Sequence, residues 1–272
     1  MNIGIDLGNT ATKIACLTDG RPCRQQTLTG HERGIAAALT AARTLAGTGV
    51  GRVAVTGVGS VTRQEELADD AQLTVVNEFD AIGAGGLIVS GLPAALVVSV
   101  GTGTALVHAD GATCRHLGGS GVGGGALLGM ARAMLGVSDA AQLVAMAADG
   151  SLANVDLTVG EVLQGAVPGL DADLTVANLG KAGRDSKPAD VAAGIINLVI
   201  QTIGVLAAYA AKAEQVGDIV VAGRLATAPQ ACGIFARLGA LHRVRYHLPV
   251  LGPYATAYGA ALLGKAAARD GQ

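Results

Sequence analysis

Residues 3–20, IGIDLGNTATKIACLTDG, and residues 96–111, LVVSVGTGTALVHADG, spell one pattern twice. In the first, apolar side chains alternate at Ile3, Ile5 and Leu7, break at Gly8-Asn9-Thr10, and resume from Lys13 to Leu17 before Asp19-Gly20. In the second, Leu96 to Val100 breaks at Gly101-Thr102-Gly103-Thr104, resumes from Ala105 to Ala109 and turns at Asp110-Gly111. Alternation marks a strand with one buried face, and Asp-Gly closes two-residue hairpins. Each stretch therefore predicts strand, Gly/Thr turn, strand, tight turn and a third strand, past Pro22 in one case and from Thr113 to Leu117 in the other. A unit repeated in this way implies two similar lobes. We place them at residues 1–92 and 93–272, with the two Gly/Thr turns facing each other across a cleft.

Around the meanders, spacing predicts helices over 31–45, from Asn77 through Leu87, and over 126–135, 140–148, 190–214 and 256–268. Further strands fall at 52–56, 72–76 and 218–222, the last ended by Gly223. That order is α/β with mixed sheets. No Pro- or Ser-rich linker separates the halves, so they should share an interface and a hinge.

Composition narrows the class. The 272 residues suffice for two modest lobes, and with half of them apolar, 15% charged and 41 glycines the chain reads as a compact enzyme rich in tight turns. Aromatic residues make up only 2%, which leaves an aliphatic, small-residue core. A net charge of −2 argues against nucleic acid or an anionic membrane as the main partner. Arg243, Arg245 and His247 form one basic knot, read as a solvated strand face. Cys16, Cys23, Cys114 and Cys232 show no metal-ligand spacing, so reduced thiols and a cytoplasmic home are expected. The opening residues carry no basic region of a signal peptide. The stretch 191–213 is apolar enough to raise a membrane span, but Asn197, Gln201 and Gly204 within it favour a buried or interfacial helix.

Three places can carry chemistry. A turn of Gly8, Asn9 and Thr10 can point N–H groups and hydroxyls at one anion. Asp6 at the strand end is placed to hold a hydrated Mg²⁺, and Lys13 to offset phosphate charge. An ordinary hairpin also wants Gly or Asn, but the second turn, with Thr102, Gly103 and Thr104 in the same relative place, favours a pair of turns gripping the β- and γ-phosphates of one nucleotide. The run Gly118 to Gly125 opens a helix, where backbone can approach a ligand and the helix end is partly positive. A Rossmann fingerprint fails on context, because the preceding strand belongs to a meander. A glycine-packed helix crossing stays open. Glu78, in Asn77-Glu78-Phe79-Asp80, stands where a strand meets a helix. It can accept a hydroxyl proton in phosphoryl transfer, or form with Asp80 an acidic pair favoured by the helix dipole.

Taken together, these motifs resemble the type II pantothenate kinases. The likeness runs through the DxGxTxxK opening at 6–13, NEFD at 77–80, VGTGT at 100–104, LGGSGVGGGALLG at 117–129, LTVANLGK at 174–181 and PYATAYGAALLG at 253–264. The resemblance implies two ribonuclease H-like lobes of the actin/hexokinase type with an ATP cleft between them. It also implies Mg²⁺-ATP-dependent phosphorylation of pantothenate, the first committed step towards coenzyme A. By that analogy Glu78 is the base; Asp6, Gly8, Thr10 and Lys13 line the first phosphate loop, and Thr102 belongs to the second. Gly124, Gly125 and Ala126 lie against the nucleotide, and Gly223 marks the adenosine side. The resemblance further implies a homodimer built partly on the helix over 190–214, which is apolar almost all round.

Three positions depart from the pattern. Ala105 stands where the family carries a Ser, and His116 where it carries an Arg; both family residues touch pantothenate. Arg115 is one position off and should point to the other strand face, yet it is kept with Ala105 and His116 as a candidate for binding the substrate, and Arg224 is kept with Gly223 as a candidate for binding the nucleotide. Gly223 is followed by Arg224 and Leu225 in place of small hydroxyl residues. The rival readings are a kinase of another small alcohol, an iron–sulfur activator ATPase, which needs clustered cysteines, and a non-catalytic nucleotide-binding relative.

Overall fold

The computed structural model describes residues 1–30, 34–47, 51–61, 73–163 and 171–266. The first meander forms as β1 (Asn2–Leu7), β2 (Thr12–Thr18) and β3 (Arg21–Leu28), all antiparallel. Pro22 sits near the start of the edge strand β3, where a missing N–H is tolerated. Helix α1 (Ile35–Ala46) leads to β4 (Val53–Thr56), which runs parallel to β1, and a single turn, α2 (Val58–Val61), follows. Strand β5 (Leu73–Val75) completes a five-stranded sheet in the order β3-β2-β1-β4-β5. The ends of two expected elements, 31–33 and residue 72, lie outside the described residues.

After α3 (Glu78–Ser90) the plan repeats. Strands β6 (Ala95–Val100), β7 (Thr104–Ala109) and β8 (Cys114–Ser120) form the second meander. Then come α4 (Gly124–Leu135), α5 (Ala140–Ala147) and a two-stranded ribbon, β9 (Leu157–Thr158) with β10 (Thr175–Ala177), flanking the short α6 (Val159–Leu163). The long α7 (Pro188–Ala213) precedes β11 (Asp218–Ala222), which lies parallel to β6. Helix α8 (Pro229–His242), β12 (Arg245–His247) and α9 (Ala255–Ala266) close the chain; residues 267–268 of the expected last helix lie outside the described residues. The second sheet has the order β12-β11-β6-β7-β8, the same arrangement as the first.

Alternation decides which face of each sheet meets which helix. Ile3, Ile5 and Leu7 of β1 join Ile14 and Cys16 of β2 against Ala38, Ala42 and Ala46 of α1. The opposite face, carrying Ala15 and Leu17, packs on Ala257, Tyr258 and Ala261 of α9. The last helix of the chain thus covers the first sheet. Helix α3 does the converse: Phe79, Ile82 and Leu87 lie on Val97, Val107 and Val220 of the second sheet. The two helices cross at glycines, since a Cβ on Gly85 would run into the Ala255 carbonyl, and one on Gly259 into that of Ala81.

The other face of the second sheet holds the largest core, where Leu96, Val98, Leu106, Ile219 and Val221 meet α4, α5, α7 and α8. Helix α7 is long and apolar enough to cross a membrane, yet 72% of its most apolar stretch is buried in this core. Its apolar circumference, which we expected to need a partner, is therefore largely satisfied within the chain. Leu198, Val205 and Leu206 are half-buried at the edge of the same core, and Tyr209 beside them is exposed. Asp190 near its start accepts hydrogen bonds from the Ser151 N–H and the Asn154 amide. Helix α8 was not foreseen, although Ala231, Ile234, Phe235 and Leu238 are spaced as one buried helical stripe. The basic knot resolves into Arg245 and His247 bonded to Asp218 across β11 and β12, with Arg243 ending α8 in a left-handed conformation.

Candidate active site

Antiparallel pairing sets Asp6 opposite Lys13, and parallel pairing sets it opposite Thr56. In-register neighbours share a face, so Lys13, Asp6 and Thr56 form a row on the α9 face, at the ends of their strands. Lys13 Nζ lies 3.6 Å from Asp6 Oδ2. Asp6 is buried, and its carboxyl is pushed above the usual carboxylate range by that burial, with the Lys13 charge opposing the shift. The second sheet has the matching row: Ser99 pairs with Ala105 on one side and Ala222 on the other. The charges of the first row are replaced there by small side chains. Chemistry that needs a carboxylate and a cation together is confined to one of the two repeats.

The turns that end β1 and β6 meet, as the repeat implied. Thr10 and Thr102 place their hydroxyls 3.2 Å apart across the interface of the sheets. Gly8-Asn9-Thr10 and Gly101-Thr102 are solvent-accessible around that contact. The glycine run is built into the second turn. The N–H groups of Gly124 and Gly125 donate to the carbonyls of Gly101 and Thr102, at 2.9 and 2.8 Å. A Cβ on Gly123 would come within 2.7 Å of the Thr102 carbonyl. The first donors of α4 are therefore used to brace Gly101–Gly103, so these glycines pack on a turn rather than at the helix crossing left open above. Ala126 is partly exposed just beyond it.

Glu78 begins α3. Asn77 caps that helix, its side-chain oxygen accepting from the N–H groups of Phe79 and Asp80. Glu78 is half-buried, and its carboxyl is raised first by burial and then by the nearby charge of Asp6, with Lys13 pulling the other way. These three ionisable groups sense one another although Asp6 belongs to the first sheet and α3 packs on the second. The backbone carbonyl of Asp80 accepts a long 3.6 Å contact from the Cys114 thiol.

Beside Glu78, Phe79 stacks on His116 with ring centroids 3.8 Å apart and planes within 12°. Ala105 and Cys114 lie on the same α3-facing side of the second sheet. His116 is exposed, so its ring edge is free to meet a ligand. Arg115 is not brought to this place. It lies on the opposite face, where it is ion-paired to Glu214 at the end of α7, with the His108 Nδ1 3.6 Å from the same carboxylate. A bulge between Leu106 and Val107 shifts the β7–β8 register, and Gly118 takes up the turn with φ 142°.

Gly223 ends β11 at φ 111°, and a Cβ there would strike the Val100 carbonyl. Exposed Arg224 begins the following turn. The equivalent position after β4 is Gly57, at φ 93°, where a Cβ would stand 2.8 Å from Asp6 Oδ1. Gly57, Thr56 and Phe79 escaped the sequence reading. Aligning the two repeats strand by strand would have found the first, since Gly57 stands to β4 as Gly223 stands to β11.

The family model described as Fumble matches residues 91–232. The chain is 29% identical over 232 residues to a type II pantothenate kinase of Staphylococcus aureus (strain USA300), covering 82% of this chain and 84% of that one. It is 26% identical over 229 residues to the type II pantothenate kinase of Bacillus cereus (strain G9842), covering 81% and 82%. Among solved structures, the activator of the 2-hydroxyisocaproyl-CoA dehydratase from Clostridium difficile, with bound ADPNP, superposes with a TM-score of 0.67 at 18% identity, over 100% of this chain and 98% of that one. The fold is thus the two-lobed actin/hexokinase type that the resemblance implied, and the repeated meander gives its two similar lobes.

Proposed function

We propose that this chain, which belongs to the Fumble family, is an ATP-dependent kinase that phosphorylates pantothenate, the step that opens coenzyme A synthesis. The observation that carries the reading is the place of Glu78: a carboxyl with a raised pKa beside Asp6 and Lys13 on one side, and beside the Phe79–His116 stack on the other. A base that works near neutral pH needs such a raised carboxyl. Relatives named as type II pantothenate kinases support the acceptor.

In this reading the Thr10 and Thr102 turns hold the β- and γ-phosphates, and Gly223 with Arg224 borders the adenosine. Glu78 takes the proton of the acceptor hydroxyl as its oxygen attacks the γ-phosphorus. The bond from that phosphorus to the bridging oxygen breaks, and ADP leaves with the electron pair. Lys13 offsets the charge of the transferring group. An Mg²⁺ ion suits the corner: a buried carboxylate oxygen at a strand end, with one cation 3.6 Å away, is the single protein ligand that Mg²⁺ commonly takes beside phosphates and waters. Asp6 would hold it, and when bound the ion neutralises phosphate oxygens. Exposed Tyr209 on α7, with half-buried Leu198, Val205 and Leu206 around it, supports a homodimer, and the reduced, scattered cysteines support a cytoplasmic enzyme.

One observation favours a second acceptor of the same class. Ala105 and His116 line the acceptor side in place of a hydroxyl and a permanent cation, so another small alcohol fits the machinery equally well. The test is phosphate transfer from labelled ATP to pantothenate, pantetheine and glucose in parallel. Transfer to pantothenate is expected. Transfer to another alcohol alone would move the acceptor, and ATP turnover with none of them would overturn the kinase reading.

A further inference from the structure

Thr56 is fully buried at the end of β4, and its hydroxyl makes no hydrogen bond among the described residues. A buried hydroxyl without a partner lowers stability, whereas Val would fill the same space at no such cost. The matching position in the second sheet is Ala222, on a row without charge. The hydroxyl therefore appears only in the repeat that carries Asp6 and Lys13. The next residue, Gly57, folds the backbone directly onto Asp6, with room for no Cβ. Thr56 and Gly57 together form the bed in which the Asp6 carboxylate lies. Lys13 is the ion-pair partner of that carboxylate, and the phosphates of a nucleotide would compete for the same ammonium.

We infer that Thr56 is a positioning residue for Asp6: when Mg²⁺-nucleotide draws Lys13 away, the Thr56 hydroxyl donates to the carboxylate of Asp6, its in-register neighbour, and holds it in place. This rests on the kinase reading above. The orphaned hydroxyl in the free protein is then a group kept for the loaded state.

Thr56→Val, Thr56→Ser and the parent chain are compared by thermal unfolding without ligand and by calorimetric titration with Mg²⁺-ADP and with ADP alone. The Val variant should unfold at the same temperature as the parent or higher, because it removes an unpaired hydroxyl. Its affinity for Mg²⁺-ADP should fall by roughly ten- to a hundred-fold, as expected for a lost hydrogen bond to a charged group, with binding of metal-free ADP unchanged. The Ser variant should regain the parent affinity. Equal Mg²⁺-ADP affinity in the Val variant and the parent would overturn the role of Thr56 alone. So would a Val variant that loses stability without ligand and weakens both titrations equally, which is a packing role. A parent chain that binds no Mg²⁺-ADP would overturn this inference and the kinase reading together.

Discussion

Replacing Glu78 with Gln keeps the shape of the side chain and removes both its charge and its proton-accepting oxygen. Loss of a general base costs roughly 10²–10⁴-fold in turnover. Two features of the structure sharpen that figure. Glu78 and Asp6 repel each other across the site, so the Gln variant removes a charge from the phosphate corner, and nucleotide affinity should hold or improve. The fall should therefore appear in kcat rather than in the KM for ATP. The raised carboxyl also makes a stability signature. A carboxyl whose folded pKa lies above its unfolded value of 4.5 binds more protons in the folded state, so its contribution is fully present below pH 4.5 and is lost as pH rises through the folded pKa. Glu78→Gln lacks this loss and should unfold at a higher temperature than the parent at neutral pH, with the difference shrinking towards pH 4. Initial rates over pH 5–9, paired with thermal unfolding at the same values, read both effects. Near-normal kcat in the variant would remove Glu78 from the chemistry, and a neutral-pH stability below that of the parent would refute the electrostatic account of its environment.

Other perturbations have defined outcomes. Ala105→Ser with His116→Arg restores a hydroxyl and a permanent cation on the acceptor side, and should lower the KM for pantothenate by roughly ten- to a hundred-fold in steady-state assays. The Asp218 carboxyl is held down at about 2, first by its bonds to Arg245 and then by His247, against a reference of 3.8. Its stabilisation is present above pH 3.8 and lost as pH falls through about 2, so Asp218→Asn should flatten acid unfolding in that range. Asp156 is buried and accepts the Leu179 N–H and the Asn197 amide, each at 2.8 Å. Asp156→Ala strands both donors, each costing about 1–3 kcal/mol, and should lower the denaturation midpoint without changing its slope. At micromolar concentration, sedimentation should show a species of twice 26.8 kDa, and Tyr209→Asp should shift it towards the single chain.

The two meanders were legible because each depends only on alternation and on turn chemistry, both local. β1, β2, β6 and β7 fall within a residue or two of their expected places, and the facing of Thr10 and Thr102 follows from the repeat. The strand period also sets Arg115 and His116 on opposite faces, so the expectation that Arg115 binds the substrate is corrected by its pairing with Glu214. What escaped was not local. Helix α8 contains Gly233 and Gly239 and opens at Pro229, all turn signals, and its buried stripe stabilises it only against α7. The ribbon of β9 and β10 has strands too short to show alternation, and it is held by the buried Asp156, whose partners lie 19 to 41 residues away. The role of Gly57 depends on the approach of β4 to Asp6, which pairing alone determines.

The crossing of α3 and α9 explains why a base and a carboxylate from different sheets can share one electrostatic environment. Glu78 rides on α3, whose Phe79, Ile82 and Leu87 are fixed to the second sheet, while Asp6 is fixed to the first. Helix α9 is bound to the first sheet through Ala257, Tyr258 and Ala261, and the Tyr258 hydroxyl reaches Gln25 on β3 at 3.0 Å. The two helices touch backbone to backbone, at Gly85 against Ala255 and at Gly259 against Ala81. No flexible side chain intervenes in that contact, so a rotation of one sheet against the other must be taken up outside it. The separation of Glu78 from Asp6 is then set by a rigid joint two helical turns below the base. At the start of α3 the helix dipole favours an ionised Glu78, whereas burial first and the Asp6 charge second disfavour it. The Asp6 contribution depends on the distance between the two carboxyls, and so on the close backbone approach that the glycines at this crossing allow.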